Sequence, residues 1–134
     1  MMKLAFIGAC GHVYNVYDAI ESRNDIIICG VAKGSSLEKI DPFYAFLQKK
    51  GHVCEKYEDY IQLLDTQKPD IAVVSTLFAL CAPISIECLR RGIHVISEKP
   101  VACSSEELER LEAAAKASLA VFTAMHFLRY HPAF

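Results

Sequence analysis

The sequence contains no tryptophan and no excess of charge of either sign. Its 14 lysines and arginines nearly balance its 16 aspartates and glutamates, which gives a formal net charge of −2. Proteins that bind nucleic acid or an anionic membrane through electrostatic attraction carry a basic surface, and this composition does not provide one. We therefore expect neither nucleic acid nor a membrane among the partners of this protein.

Long apolar runs are also lacking. Residues 71–86 carry no charge, but Ser75, Thr76, Pro83 and Ser85 interrupt them. A helix that spans a membrane needs about 20 predominantly apolar residues, and this run is shorter. A buried strand followed by a helix explains the run better.

The six cysteines form no C-x-x-C pair, and most of them lie inside apolar strand or helix patterns. Reduced, buried thiols explain this distribution better than a disulfide framework or a zinc site. The first apolar run is broken at Gly8, which argues against a secretory signal. We expect a cytoplasmic protein with no bound metal.

Short β-branched segments alternate with segments of helical periodicity along the whole chain, which has the length of one domain. The predicted strands are residues 4–7, 26–32, 52–54, 71–75, 94–97 and 119–124. Strict alternation of strands and helices predicts an α/β fold with a doubly wound parallel sheet over residues 1–134. The expected strand order is 3-2-1-4-5-6.

Several local signals predict where helices begin. Asp41 is the predicted N-cap of a helix with Pro42 in its first position, and Ser104 with Glu107 has capping-box spacing. Residues 76–82 are predicted as a loop that leads to a helix with Pro83 near its start. The predicted inward-facing positions of three helices are Phe43, Phe46 and Leu47, then Tyr57, Tyr60, Ile61 and Leu64, and then Leu108, Leu111 and Ala115.

A turn containing two glycines joins the first strand to the first helix. It consists of Gly8, Ala9, Cys10, Gly11, His12 and Val13. Backbone N–H groups and the helix dipole favour an anion at such a turn, so these residues are candidate cofactor ligands. The match to G-x-G-x-x-G is incomplete, because Cys10 and Val13 replace the second and third glycines. A plain strand-turn-helix connection is therefore a competing interpretation.

Candidate ligands also follow the second and fourth strands. An enzyme that prefers NAD tends to carry Asp or Glu at the end of the second strand, but here Lys33 and Ser35 follow it. These side chains suit a 2′-phosphate, which favours NADP, although a solvated loop is an alternative. Ser75 and Thr76 face the glycine turn in the expected topology, unless their hydroxyls only satisfy local backbone groups.

Residues 92–100 read as a helix end, a buried strand and a charged pair. Glu98 and Lys99 emerge at the carboxyl end of the fifth strand, where open α/β sheets bind their ligands. Pro100 restricts Lys99 to an extended conformation. The Lys99–Pro100 peptide is a candidate for the cis form, which would aim the lysine into the cleft.

The chain resembles the amino-terminal domain of the glucose–fructose oxidoreductase and inositol dehydrogenase family. The resemblance is carried by residues 70–76, 82–84 and 92–95, by Glu98-Lys99-Pro100, and by the closing residues 129–134. It implies a Rossmann fold that binds NAD(P), and hydride transfer to or from a sugar, polyol or related hydroxy compound. Lys99 takes the catalytic position, and Glu98, Lys99, Pro100 and Arg129 take cofactor-side positions.

The family continues into a second, α+β domain that supplies substrate contacts and usually the oligomer interface. The resemblance therefore implies that this chain is truncated before its substrate domain, belongs to a homo-oligomer and is inactive alone. The chain departs from the family at residues 77–79 and at Phe127, where polar residues are usual. A second hypothesis, which the incomplete glycine turn favours, is a non-catalytic dinucleotide-fold module that binds or senses a nucleotide or a partner.

Overall fold

A computed structural model describes residues 1–133; Phe134, the last residue of the predicted closing motif, lies outside them. Strands and helices alternate along the described chain. They are β1 (Met2–Ile7), α1 (Val13–Ile20), β2 (Ile26–Ala32), α2 (Asp41–Lys49), β3 (Glu55–Tyr57), α3 (Tyr60–Gln67), β4 (Ile71–Val74), α4 (Phe78–Arg90), β5 (His94–Ser97), α5 (Ser105–Ala117) and β6 (Phe122–Ala124).

The strands form one sheet with the order β3-β2-β1-β4-β5-β6, and every adjacent pair is parallel. This order confirms the predicted doubly wound topology. Strand β1 lies at the centre and is buried on both faces. Its Leu4 and Phe6 pack with residues of α1 and α2, whereas Ala5 and Ile7 pack with residues of α3, α4 and α5. Covering on both faces explains why residues 4–7 of β1 are all apolar.

The third strand was predicted in the wrong place. Residues 52–54 are irregular, and the strand is Glu55–Tyr57, whose Tyr57 pairs with Ala32 of β2. Val53 made the earlier segment look like a strand, but its side chain is 98% exposed. Tyr57 is therefore a buried strand residue and not part of the inward face of α3, whose buried residues are Leu63 and Leu64.

Helix α4 begins earlier than predicted, because the loop after β4 spans only residues 75–77. Pro83 is the sixth residue of α4, and it lies on the exposed side of the helix. Its ring removes one backbone hydrogen bond, but the carbonyl left without a partner can face water there. The strand β4 accordingly ends at Val74, one residue before the predicted end.

Three smaller predictions were also wrong. Asp41 is the first residue of α2 rather than its N-cap, and its carboxylate lies 2.8 Å from the Lys56 ammonium. Leu108 was expected to face inward but is exposed. Strand β6 begins at Phe122, three residues after its predicted start, because it pairs with β5 only along residues 122–124 at the edge of the sheet.

None of the helices in residues 1–133 is long and apolar enough to span a membrane. All six cysteines, which lie in the described part of the chain, are free thiols.

We expect Ser104→Ala to destabilise the fold by about 1 kcal/mol, because Ser104 is the N-cap of α5. Its hydroxyl accepts a 3.1 Å hydrogen bond from the Glu107 N–H, as the capping-box spacing predicted, and Glu107 in turn accepts from the Cys103 N–H at 2.8 Å. Urea unfolding monitored by circular dichroism measures the loss. The control is Ser105→Ala, one residue inside the helix, which should change the free energy of unfolding by less than about 0.5 kcal/mol. Equal losses in the two variants would contradict the capping role.

Candidate functional site

The glycine turn is fixed against the ends of β2 and β4. The Gly8 N–H donates to the Ala32 carbonyl at 2.8 Å, and the Cys10 N–H donates to the Ser75 carbonyl at 2.8 Å. The Ser75 hydroxyl donates back to the Cys10 carbonyl. Gly8 has φ +76°, and a Cβ there would overlap the Ser75 backbone, so this position requires glycine. The buried Ser75 hydroxyl therefore holds the glycine turn through a contact between residues that are distant in the sequence.

One carboxylate connects this turn to Lys99. Glu98 is only 2% exposed. It accepts hydrogen bonds from the His12 N–H at 2.7 Å, from His12 Nδ1 at 3.0 Å and from the Lys99 N–H at 3.0 Å. The carboxylate just past the end of β5 thus accepts the N–H of His12, the N-cap residue of α1, and orients the backbone of Lys99 at the same time.

The charge of Glu98 is maintained by these contacts. Burial alone would raise the pKa of this carboxyl, but the backbone and ring of His12 and the backbone N–H of Lys99 outweigh burial and lower the pKa from its ordinary value. Gly11 allows the approach, because its φ is +60° and a Cβ there would overlap the Glu98 carboxylate. The ionised carboxylate of Glu98 therefore packs directly against Gly11, and this contact leaves no space for a side chain at position 11.

Lys99 lines a cavity of about 420 Å³ at the carboxyl ends of the strands. The other lining residues are Met125, His126, Phe127, Leu128 and Arg129. The Phe127 ring packs against the His12 ring with centroids 4.3 Å apart, which connects the cavity to the glycine turn. Lys99 is exposed at the edge of the cavity, and the Lys99–Pro100 peptide is cis, as anticipated.

Arg129 reaches this cavity from the segment after β6. Its N–H donates to the His126 carbonyl at 2.9 Å, and its guanidinium lies 5.8 Å from the centre of the Tyr130 ring. Lys99 and Arg129 are therefore two cations that line one cavity. Met125, Phe127 and Leu128 also line the cavity, so the surface around the two cations is apolar.

Glu38 is a site residue that sequence reasoning missed. Its buried carboxylate accepts from the Gly34 N–H at 2.5 Å, the Ser35 N–H at 3.3 Å and the Leu77 N–H at 3.1 Å, and from the Thr76 hydroxyl. It therefore bridges the loops that follow β2 and β4. One sequence signal for Glu38 was available, because an acid is expected after the second strand of an enzyme that prefers NAD. Glu38 was missed because it lies five residues beyond Lys33.

Some of the remaining predicted residues have groups that can bind a ligand, whereas others already have partners within the protein. The N–H groups of Ala9 and Gly11 have no hydrogen-bond partner among residues 1–133. By contrast, the Lys33 ammonium is paired with the Glu58 carboxylate at 2.5 Å, and the Ser35 hydroxyl accepts from the Leu37 N–H at 3.3 Å. The Val13 side chain is buried in the core, which leaves only its backbone near the turn.

The turn has the properties of a phosphate cradle, with a close backbone approach at Gly8 and two N–H groups without protein partners. Residues 8–11 therefore fit the pyrophosphate of a dinucleotide. The side chain of Cys10, in place of the second glycine, reduces the space through which a pyrophosphate can approach the backbone of the turn. Burial and the nearby carboxylates of Glu38 and Glu98 raise the pKa of its thiol, so it is not an activated nucleophile. Among residues 1–133 no group of three His, Cys, Asp or Glu residues is placed to hold a metal ion.

The model of an oxidoreductase family with an NAD-binding Rossmann fold matches residues 2–126. The chain belongs to this family. The resemblance to glucose–fructose oxidoreductase and inositol dehydrogenase proteins is thereby confirmed, as is the nicotinamide dinucleotide as the family's cofactor.

Individual relatives agree with this assignment. A glycosyl hydrolase family 109 protein from Akkermansia muciniphila is 29% identical over 115 residues, which cover 80% of this chain. The structure of a putative oxidoreductase from Thermotoga maritima superposes with a TM-score of 0.84 and 30% identity over 92% of this chain. A WlbA dehydrogenase from Chromobacterium violaceum, solved with NADH and UDP-GlcNAcA, gives a TM-score of 0.77 with 26% identity over 96% of this chain.

All three relatives are much longer than the part that this chain matches. The alignment covers 24% of the glycosyl hydrolase, 38% of the Thermotoga protein and 36% of the WlbA dehydrogenase. The shared part is the NAD-binding domain.

We expect the stabilisation supplied by Glu98 to disappear in acid. Because its pKa is lower in the folded chain than in the unfolded chain, the ionised carboxylate stabilises the fold above the unfolded pKa of about 4.3, and this contribution is lost as the pH falls through the folded pKa. The free energy of unfolding of the wild type minus that of Glu98→Gln should therefore shrink as the pH falls from about 6 to about 3.

Urea titrations at several pH values measure this difference. Glu109→Gln removes an exposed acid from α5 and serves as the control, with a difference from the wild type that stays near zero throughout. A Glu98→Gln difference that is constant over the same pH range would contradict the assigned ionisation.

Proposed function

We propose that this chain is the cofactor half of an NAD(P)-dependent oxidoreductase that transfers hydride to or from a sugar, polyol or related hydroxy compound. The observation that carries the proposal is the shared carboxylate of Glu98, which joins the phosphate cradle to Lys99 across the carboxyl ends of β1 and β5. A dinucleotide bound on Gly8, Ala9 and Gly11 would extend towards the cavity that Lys99 lines.

Each side chain of this arrangement has a chemical role in the proposal. Nicotinamide, when bound, supplies the hydride acceptor or donor. The Lys99 ammonium donates a hydrogen bond to the substrate oxygen, which stabilises charge that develops there. Glu98 positions Lys99 through its backbone N–H, and Arg129 adds a second cation to the same cavity.

The substrate class is proposed from the relatives. One is named a glycosyl hydrolase, and another was solved with UDP-GlcNAcA, so sugar-based ligands recur among proteins similar to this chain. Because the chain spans less than two fifths of each relative reported above, we propose that a second domain supplies the substrate contacts and that the 134 residues turn over no substrate alone.

We also propose that the complete protein is a homo-oligomer. The motivation is the exposed apolar edge at Leu119 and Val121, together with the family resemblance. Six free thiols motivate a cytoplasmic location.

For the cofactor we propose a preference for NADP, because Lys33 and Ser35 follow β2. The Lys33 ammonium is paired with Glu58, whose side chain is 71% exposed. Ion pairs at the surface are worth about 0–1 kcal/mol, so exchange of Glu58 for a phosphate costs little.

A non-catalytic dinucleotide-binding module is the second candidate. Two features of the glycine turn favour it. Cys10 replaces the second glycine of the motif, and the His12 N–H already donates to the carboxylate of Glu98. Such a module would bind the dinucleotide but would not need the Lys99 ammonium.

We expect Cys10→Gly to raise the affinity for both NADH and NADPH by about tenfold, because it removes the side chain that narrows the pyrophosphate approach. Titration of the chain followed by nicotinamide fluorescence measures the dissociation constants. Cys103→Gly, which changes an exposed cysteine before α5, is the control and should leave them unchanged. Failure of both the wild type and Cys10→Gly to bind either dinucleotide would overturn the proposed cofactor role.

A further inference from the structure

Four donors from two different loops converge on the Glu38 carboxylate. Two are the consecutive N–H groups of Gly34 and Ser35 after β2, and two are the Thr76 hydroxyl and the Leu77 N–H after β4. Convergent backbone N–H groups form an anion-binding concavity. The described chain therefore contains an anion site at the end of β2, and one of its own side chains fills it.

The same contact closes the crevice between the two loops. A Cβ on Gly34 would overlap the Thr76 side chain, so the loops touch at this point. A phosphate that binds these donors has to displace Glu38, which breaks the hydrogen bonds of Glu38 to Thr76 and Leu77. Once Glu38 leaves, the part-buried N–H groups of Gly34, Ser35 and Leu77 lose their acceptor, and another anion can take its place.

A phosphate group fits the vacated donors better than a hydroxyl does. It brings several acceptor oxygens and more negative charge than the carboxylate it replaces. It also gains from the Lys33 ammonium on the same loop, which Glu58 holds only at the surface. A ribose hydroxyl carries no charge and has a single acceptor oxygen, so it replaces the carboxylate less well than a phosphate does.

We propose that Glu38 is an internal competitor for the 2′-phosphate of NADPH. Its carboxylate occupies the phosphate site in the free chain. This inference rests on the proposed cofactor role, because it assigns the regulation of the same site. A competitor that is seated most of the time lowers the apparent affinity in proportion to the small fraction of open sites.

The test measures the dissociation constants of NADPH and NADH for Glu38→Gln and for the wild type. The amide keeps the size of the side chain but carries no charge, so it holds the Gly34 and Ser35 N–H groups less strongly. We expect NADPH to bind about tenfold more tightly to Glu38→Gln, whereas the affinity for NADH changes by less than about threefold. Glu109→Gln, which makes the same charge change on an exposed part of α5, should leave both constants unchanged.

A double variant identifies the phosphate as the cause. Adding Lys33→Asp to Glu38→Gln removes the cation that favours the phosphate, and the gain for NADPH should be lost. A gain that survives Lys33→Asp would contradict phosphate binding at this loop.

Other outcomes overturn the inference alone. If Glu38→Gln weakens NADH without strengthening NADPH, Glu38 is a ribose acceptor and not a competitor. If NADH binds but the ratio of the two constants is the same in the variant as in the wild type, competition is also excluded. If neither dinucleotide binds to any form, the proposed cofactor role fails as well.

A measurement on the wild type covers the case in which Glu38→Gln does not fold. Adenosine 2′-monophosphate should shift the amide resonances of Gly34, Ser35 and Leu77 more than adenosine 5′-monophosphate does. Shifts confined to residues 8–13 with both nucleotides would overturn the inference.

Discussion

The arrangement of the site depends on one buried carboxylate. Glu98 leaves the end of β5 and accepts hydrogen bonds from the backbone and ring of His12 and from the backbone of Lys99. Burial of a charge is costly unless it is hydrogen-bonded, and these donors lower the pKa of Glu98 despite its burial. The phosphate cradle and the proposed catalytic lysine are consequently held in one fixed relation, although 86 residues separate His12 from Glu98.

A second buried carboxylate, that of Glu38, has a similar role on the other side of the glycine turn. Glu38 satisfies N–H groups of the loops after β2 and β4, as Glu98 does for the turn after β1. Both acids contribute to the raised pKa of Cys10, which places this thiol between two negative charges. In the free chain the N–H groups of the proposed dinucleotide site are thus partly satisfied by internal anions, and within residues 8–11 the N–H groups of Ala9 and Gly11 are without a protein partner.

Much of the fold could be predicted because its signals are local. Strands β2 and β5 match their predicted bounds, since buried parallel strands are continuously apolar and β-branched. The third strand was missed because Val53 imitates this pattern while facing solvent, and only pairing with β2 distinguishes the true strand. The start of α4 was missed because Pro83 suggests a first turn, whereas an exposed proline is tolerated inside this helix.

The site was less predictable because its important contacts join distant residues. The sequence indicated Glu98 and Lys99 as a pair, but it did not indicate that the Glu98 carboxylate faces the glycine turn rather than the lysine ammonium. Glu38 lies five residues beyond Lys33, where an acid after the second strand was expected, and its role appears only when the loops after β2 and β4 are brought together.

The most direct test of the central claim is a crystal structure of the chain grown with NADH. Our account predicts the pyrophosphate over residues 8–11 and the nicotinamide ring in the cavity beside Lys99. A dinucleotide bound with its nicotinamide outside that cavity, or at the amino ends of the strands, would contradict it.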